Sequence, residues 1–345
     1  MRVGRSAAVE DRLRNALRLI IALAVSGACL YYATLGTDWN RVGVELRKAH
    51  VGWCLAVIAV SIGCHTLRAQ RWRWLLRPVG AVALWPAVAA TFLGFGANAV
   101  LPLRLGEFIR PAFLSRRVGI PFSPTLSSIV LERIFDTLLV ICCLLAVALV
   151  YPVPDLLRHG AIVLGAGTSG ALVVLVLMER NRALAERVIR RVLVLLPTRA
   201  RDPLWSIATG LLDGLRGLTD LRIVALVLGS SIGLWAMITL TYTLSFFAMD
   251  VQIPLVAGSL VTVVIVAASV FLPQAPGFIG TWQAGCVLAL HVIFNVDHDV
   301  AVGFSLLTWV IQMTANVGSA LVAIAIEGVS VRELQAESRG EVAET

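Results

Sequence analysis

Long apolar runs separated by short polar stretches set the pattern of this 345-residue chain. Runs lie near 17–35, 51–67, 79–101, 124–150, 161–178, 223–248, 254–272, 282–296 and 301–326. Each approaches the roughly 20 residues that a helix needs to cross the hydrocarbon core. Backbone groups in lipid must be satisfied within their own segment, and uninterrupted apolar runs of this length do so as helices. The expected fold class is all-α: a polytopic helical bundle forming a single transmembrane domain over 1–345.

Two of the apolar stretches are interrupted. Residues 98–111 read N-A-V-L-P-L-R-L-G-E-F-I-R-P, and residues 272–280 read L-P-Q-A-P-G-F-I-G. Pro and Gly at these places end a helix and free backbone groups that hydrocarbon cannot satisfy, so each break belongs in buried protein or beside a wet cavity. Arginine placement orients the rest. Residues 1–18 are basic, which puts the N-terminus in the cytoplasm by the positive-inside rule. The 36–50 loop is then outside, 68–78 (R-A-Q-R-W-R-W-L-L-R-P) is a cytoplasmic loop, and the arginine-rich 179–222 segment is a cytoplasmic connector.

This topology needs two re-entrant hairpins, 79–115 entered from the cytoplasm and 254–296 entered from outside. It divides the chain into a first half of about 1–160 and a second of 223–326, followed by a polar tail, 327–345, with both termini cytoplasmic. Interrupted apolar segments at matching places in two inverted halves point to a transporter's binding site. Within the connector, 187–197 reads as a short basic amphipathic helix on the inner leaflet, with an ordinary linker helix as the alternative.

Composition adds little to fold and more to function. The chain is 58% hydrophobic, 14% charged and carries a net charge of +8. Because the basic residues lie between apolar runs, they suit membrane orientation and anionic lipid rather than nucleic acid. All but Lys48 of the basic residues are arginine, in keeping with a GC-rich bacterial genome. Six cysteines all fall inside apolar runs and read as buried thiols. None of the five histidines lies beside the carboxylates of Glu107, Glu132 and Asp136 in sequence, and no metal-ligand spacing, phosphate loop or nucleophile motif occurs. No cofactor, metal site or catalytic residue is therefore expected.

The candidate chemistry is ionic. Arg104, Glu107 and Arg110 follow the first break at spacings of three, so Glu107 can pair with either arginine on a neighbouring turn. Glu132, Arg133 and Asp136 share an arc of about 100° on the 124–150 helix, and Asp136 falls near mid-membrane, about 18 Å along it. Asn98, at the entrance to the first break, joins this set. Charges at such depth mark functional sites unless they form a structural ion-pair lock, and arginine's planar fork suits a phosphate. A headgroup-level cytoplasmic turn is the competing reading of 98–111.

Residues 101–111, the E-R-x-x-D of Glu132, Arg133 and Asp136, and the P-G-F-I-G of 276–280 together resemble the lysylphosphatidylglycerol synthase transmembrane (flippase-like) family, which includes the membrane half of the multiple peptide resistance factor. The resemblance spans roughly 15–328. It implies a bacterial or archaeal inner-membrane fold with paired re-entrant hairpins that moves lipids between leaflets. It does not imply lysyl transfer, a chemistry of a separate soluble domain. Pro276, Gly277, Gly280 and Gln283 are the second-hairpin residues it singles out. Gln283 stands where the family typically has glutamate, so a mechanism needing an ionisable group there is not carried over. The function expected is transport of a phospholipid or polyprenyl-phosphate-linked precursor. An integral membrane transferase and a scaffold for an envelope-synthesis enzyme are the alternatives, and such an enzyme or a second copy of the chain would be the protein partner.

The orientation is testable with Arg191→Cys in a cysteine-free background. A membrane-impermeant maleimide should leave it unlabelled in intact cells and label it after permeabilisation. Strong labelling from outside would overturn the topology.

Overall fold

The computed structural model describes residues 17, 20–101, 104–149, 155–194, 198–216, 220–269 and 275–328. Among these there is no β-strand, in keeping with the all-α expectation. Helix α1 (Ile20–Thr34) is followed at an 85° bend by α2 (Trp39–Arg47). Then come α3 (Val51–Leu76), α4 (Leu84–Val100), α5 (Gly106–Val118), α6 (Phe122–Ala148), α7 (Asp155–Arg180), α8 (Arg182–Leu193), α9 (Thr198–Gly214), α10 (Leu221–Met249) and α11 (Leu255–Ser269). A 3₁₀ turn (Pro276–Phe278), α12 (Thr281–Val287), a π-helical turn (Leu288–Ile293) and α13 (His298–Glu327) complete the order.

Five helical segments are long and apolar enough to cross a membrane, or six if α1 and α2 form one bent span. The protein is a multi-pass membrane protein. Helix α6 is not among the five, because Glu132, Arg133 and Asp136 interrupt its apolar run. Helices α4 and α11 are shorter apolar helices. They are the first limbs of the two interrupted stretches, whose break residues Pro102, Leu272 and Pro273 lie outside the described residues.

Two loops of the sequence reading are helical. The 36–50 stretch is mostly α2, started by Asp38, whose carboxylate accepts hydrogen bonds from the Asn40 and Arg41 N–H groups. The 68–78 stretch is largely the last turns of α3, which runs without interruption to Leu76. No Gly or Pro occurs between Cys64 and Leu76 to stop it. The 187–197 helix begins earlier and ends earlier than expected, as α8, and the rest of the connector contains a second helix, α9.

The chain forms two compact units, each drawing on both halves of the sequence. Unit 1 comprises 1–61, 95–106 and 238–318; unit 2 comprises 62–94, 107–237 and 319–345. In unit 1, α11 packs on α12 and the π turn, where the Gly285 position meets Ser269 Oγ and the Val266 backbone with no room for a side chain. Phe246 and Phe304, both fully buried, stack at 4.9 Å between centroids. In unit 2, Leu75, Leu131, Phe135, Ala185, Leu212, Leu215, Ile223 and Val227 make one apolar cluster, so α8 and α9 are built into the core. Helix α9 lies against α6 at two glycines. A Cβ on Gly210 would stand 2.6 Å from Ser123 Cβ, and one on Gly214 would stand 2.6 Å from Ser127 Cβ and 2.7 Å from the Pro124 carbonyl oxygen. Ser127 Oγ donates back to the Leu211 carbonyl at 2.8 Å.

Gly214→Ala should therefore lower stability by about 1–3 kcal/mol, the range for overpacking a tight contact. Gly170→Ala in α7, where nothing lies within 4 Å, should be neutral or slightly stabilising. Thermal unfolding of the detergent-solubilised variants decides this, and equal midpoints would contradict the close α6–α9 approach.

Candidate functional site

The polar centre of unit 2 lies where α3, α5 and α6 meet. Arg68 and Arg71 sit three apart on α3, and Glu132 and Asp136 sit four apart on α6, so each pair shares a helix face. Asp136 takes a two-pronged grip from Arg71: Nη1 donates to Oδ1 at 2.6 Å and Nη2 to Oδ2 at 3.0 Å. Arg68 Nη1 adds a third bond to Oδ2 at 3.0 Å. Glu132 is held by three guanidinium groups. Arg68 Nη1 donates to Oε1 at 3.3 Å, Arg71 Nη2 lies 3.1 Å from Oε1, and Arg110 Nη1 lies 3.0 Å from Oε2. Arg71 and Glu132 have no exposed surface, and Arg110, Asp136 and Arg68 are 3, 6 and 9% exposed. Charges so deep are tolerated because each is paired and hydrogen-bonded.

A polar shell fixes the arginines. Arg71 Nη1 donates to Ser231 Oγ at 2.8 Å, and that hydroxyl donates in turn to the Val227 carbonyl. The Arg110 guanidinium lies over the Trp72 ring, 4.0 Å from its centroid, a cation–π contact. Trp72 Nε1 donates to Ser128 Oγ at 2.8 Å. Arg110 therefore has one terminal nitrogen on Glu132 and one face on an aromatic ring. Its Nε and Nη2, the two donors along one edge of the fork, have no hydrogen-bond partner among the described residues. Three guanidinium groups face two carboxylates, leaving one positive charge in excess.

This arrangement revises the expected constellation. Glu107 pairs with neither Arg104 nor Arg110. It faces Arg133 at 3.6 Å, with both side chains partly exposed. Arg104 lies before α5 begins, at φ +55°, so it does not stack on Glu107 along one helix. Arg133 makes no ion pair with Glu132 or Asp136; its Nε is directed at Glu107. The bases that complete the cluster are Arg68 and Arg71, which lie not in the expected cytoplasmic loop but on the last turns of α3. The signal available was the helix-compatible stretch from Cys64 to Leu76, with two arginines three apart and no breaker before Pro78.

The remaining predicted residues belong to unit 1. Asn98, on the last turns of α4, accepts the Gly106 N–H on its Oδ1 at 2.9 Å and so closes the break where α5 starts. The Arg104 guanidinium lies 5.9 Å from the Phe278 ring centroid. Pro276 opens the 3₁₀ turn, and Gly277, Phe278 and Gly280 all adopt positive φ. Glycine is required at 280, where a Cβ would collide with the Ser26 carbonyl. Ser26 Oγ accepts the Ala275 N–H at 2.7 Å, and Trp309 Nε1 donates to the Gly277 carbonyl at 2.7 Å. Gln283 is 1% exposed, and its Oε1 accepts the Gly280 N–H at 2.7 Å, capping α12. Its Nε2 has no partner among the described residues.

Residues 19–317 match the family described as the lysylphosphatidylglycerol synthase TM region. The chain belongs to that family. The match takes in both units and every residue of the cluster. Among curated proteins, the chain is similar to one named Glycosyltransferase AglD from Haloferax volcanii, at 25% identity over 349 residues. That match covers 91% of this chain and 55% of the Haloferax protein, so this family member spans about half the length of its relative.

Removing one partner of a buried ion pair strands the other. Asp136→Asn should cost about 3–5 kcal/mol of stability, whereas Glu107→Gln, at a partly exposed pair, should cost less than about 1 kcal/mol. Thermal unfolding of the two variants in one detergent tests the contrast, and equal losses would mean that the buried cluster does not hold unit 2 together.

Proposed function

We propose that the protein transports a phosphate-bearing lipid, a phospholipid or a polyprenyl-phosphate-linked precursor, between the leaflets of a bacterial inner membrane. The unused Nε and Nη2 edge of Arg110 carries this reading. Two parallel N–H donors on one guanidinium match two oxygens of a phosphate, and the excess positive charge of the cluster matches a monoanionic phosphodiester. In this conformation that edge is sealed from solvent, and buried donors left unmade are costly. A phosphate that takes the edge recovers this cost and so favours whichever conformation admits it, which is how a ligand drives an opening. Glu132 and Asp136 hold the arginines in place; both are committed to guanidinium groups rather than presented to a reacting bond. The re-entrant hairpins expected at 79–115 and 254–296 are kept in this reading, which follows the expected topology with both termini cytoplasmic.

Membership of a family named for a lipid synthase's membrane region supports a lipid ligand. A second reading, transfer of a group onto the lipid phosphate, is favoured by the name of the Haloferax relative. Product formation in detergent, where there are no leaflets to exchange, would support transfer.

The test is leaflet exchange of fluorescent phospholipids or polyprenyl phosphates in proteoliposomes, with folding verified by unfolding midpoint. Arg110→Gln should weaken binding and slow exchange by about 10- to 150-fold, the worth of charge-assisted hydrogen bonds. Arg110→Lys should recover only part of this, because it keeps charge and loses the fork. Wild-type exchange by folded Arg110→Gln would reduce the cluster to a structural lock.

A further inference from the structure

Helix α8 has three distinct faces. Ala185 and Ile189 turn inward onto the apolar cluster of unit 2 that also contains Leu131 and Phe135. Leu184, Val188 and Val192, four apart, form a stripe that the fold leaves uncovered, at 53, 49 and 56% exposure. At 100° per residue, Arg187, Arg190 and Arg191 occupy the arc next to that stripe.

These arginines are not neutralised. Two carboxylates of this region are held by other arginines: Glu186 and Asp213 both hold Arg182, at 3.0 and 2.8 Å, and Asp213 also holds Arg216 at 3.0 Å. The carboxylates of Asp213 and then Glu186, which accept its hydrogen bonds, raise Arg182 above the ordinary guanidinium value. Arg187, Arg190 and Arg191 have no carboxylate within ion-pair distance among the described residues, and Arg190 lies over the Trp205 ring at 4.3 Å from its centroid. The segment 179–222 holds nine arginines against five acidic residues.

We infer that α8 is a docking surface for an anionic lipid leaflet, lying in the headgroup plane with its aliphatic stripe at the acyl border and its three arginines on lipid phosphates. Charge decides the occupant: an aliphatic stripe bordered by uncompensated arginines matches an anionic bilayer surface, where each arginine near the surface adds to binding. The order of faces around the helix also fits, with protein on one flank of the stripe and headgroups on the other. Because the inner face of α8 packs with residues adjoining Glu132 and Asp136 on α6, the state of this leaflet contact bears on the helix that carries the ionic cluster.

The test uses the full chain in lipid nanodiscs of pure phosphatidylcholine or of equal parts phosphatidylcholine and phosphatidylglycerol, with an environment-sensitive fluorophore on Val188→Cys in a cysteine-free background. The label should be quenched by shallow lipid-borne spin labels and protected from aqueous iodide. Iodide protection should rise severalfold with the anionic lipid, and that rise should be lost in the Arg187→Gln/Arg190→Gln/Arg191→Gln variant or at high salt. As a label-free second readout, the shell of co-purified lipid should be enriched severalfold in phosphatidylglycerol for the unlabelled protein and not for the triple variant. Repeating both in Arg110→Gln should leave the result unchanged, which separates this surface from the ligand site of α5. Iodide quenching indifferent to lipid charge would overturn the proposal, and so would protection from both quenchers, which would mean that a protein covers the stripe.

Discussion

The two-pronged contact between Arg71 and Asp136 is the constraint on which unit 2 depends. Asp136 lies within the apolar length of α6 and Arg71 is completely buried, so neither charge is tolerable without the other. Meeting that requirement forces α3 to continue well past its apolar run and fixes its rotation, because Arg68 and Arg71 must both face α6. Glu132, one turn before Asp136, then falls beside the same two guanidiniums, and Arg110 of α5 supplies its third. The close α6–α9 contact at Gly210 and Gly214 and the apolar cluster around Leu131 and Phe135 hold α6 from its other sides. One ion pair thus fixes the register of α3 on α6, and Glu132 beside it extends the contact to α5.

Much of this was legible in the sequence, and the part that was not has a physical cause. Uninterrupted apolar runs mark helices whatever their surroundings, so α3, α7, α10 and α13 were visible, as were the two interruptions. Glu132 and Asp136 were visible because a carboxylate in an apolar run is anomalous by itself. Arg68 and Arg71 were missed for the opposite reason. An arginine just beyond an apolar run looks like an ordinary headgroup anchor, and counting positive charges for orientation places it in a loop. Helix propensity would have served better there, since nothing stops α3 before Pro78. Glu107 and Arg110 were legible as a charged pair of positions but not as partners of different residues. Spacing says which side chains share a helix, while α5 starting at Gly106 decides which way they face.

The three arginines of the cluster are not equivalent. Asp136 and Glu132 spend their oxygens on guanidinium groups, and Arg71 is locked to Asp136, to Glu132 and to Ser231. Arg110 alone of the three cluster arginines combines a single anionic partner, an aromatic face and an edge of two donors with nothing to bond among the described residues. A structural lock would gain by satisfying that edge; a ligand site gains by leaving it for a phosphate. In unit 1 the strained turn at Gly277, Phe278 and Gly280 and the amide of Gln283 show the same economy: one amide atom is used to cap α12 and the other has no protein partner among the described residues. Gln283 offers no proton to exchange, so any role it has toward a ligand is that of a neutral donor.

Native mass spectrometry of the detergent-solubilised protein, offered a mixture of phosphatidylglycerol and diacylglycerol with matched acyl chains, decides whether Arg110 selects a phosphate. With Arg187→Gln/Arg190→Gln/Arg191→Gln present in both proteins, so that α8 reads no phosphate, the phosphate-bearing lipid should be retained selectively when Arg110 is present, and that selectivity should be lost in folded Arg110→Gln. Retention of diacylglycerol as strongly as phosphatidylglycerol, or unchanged selectivity in Arg110→Gln, would contradict phosphate selection by Arg110.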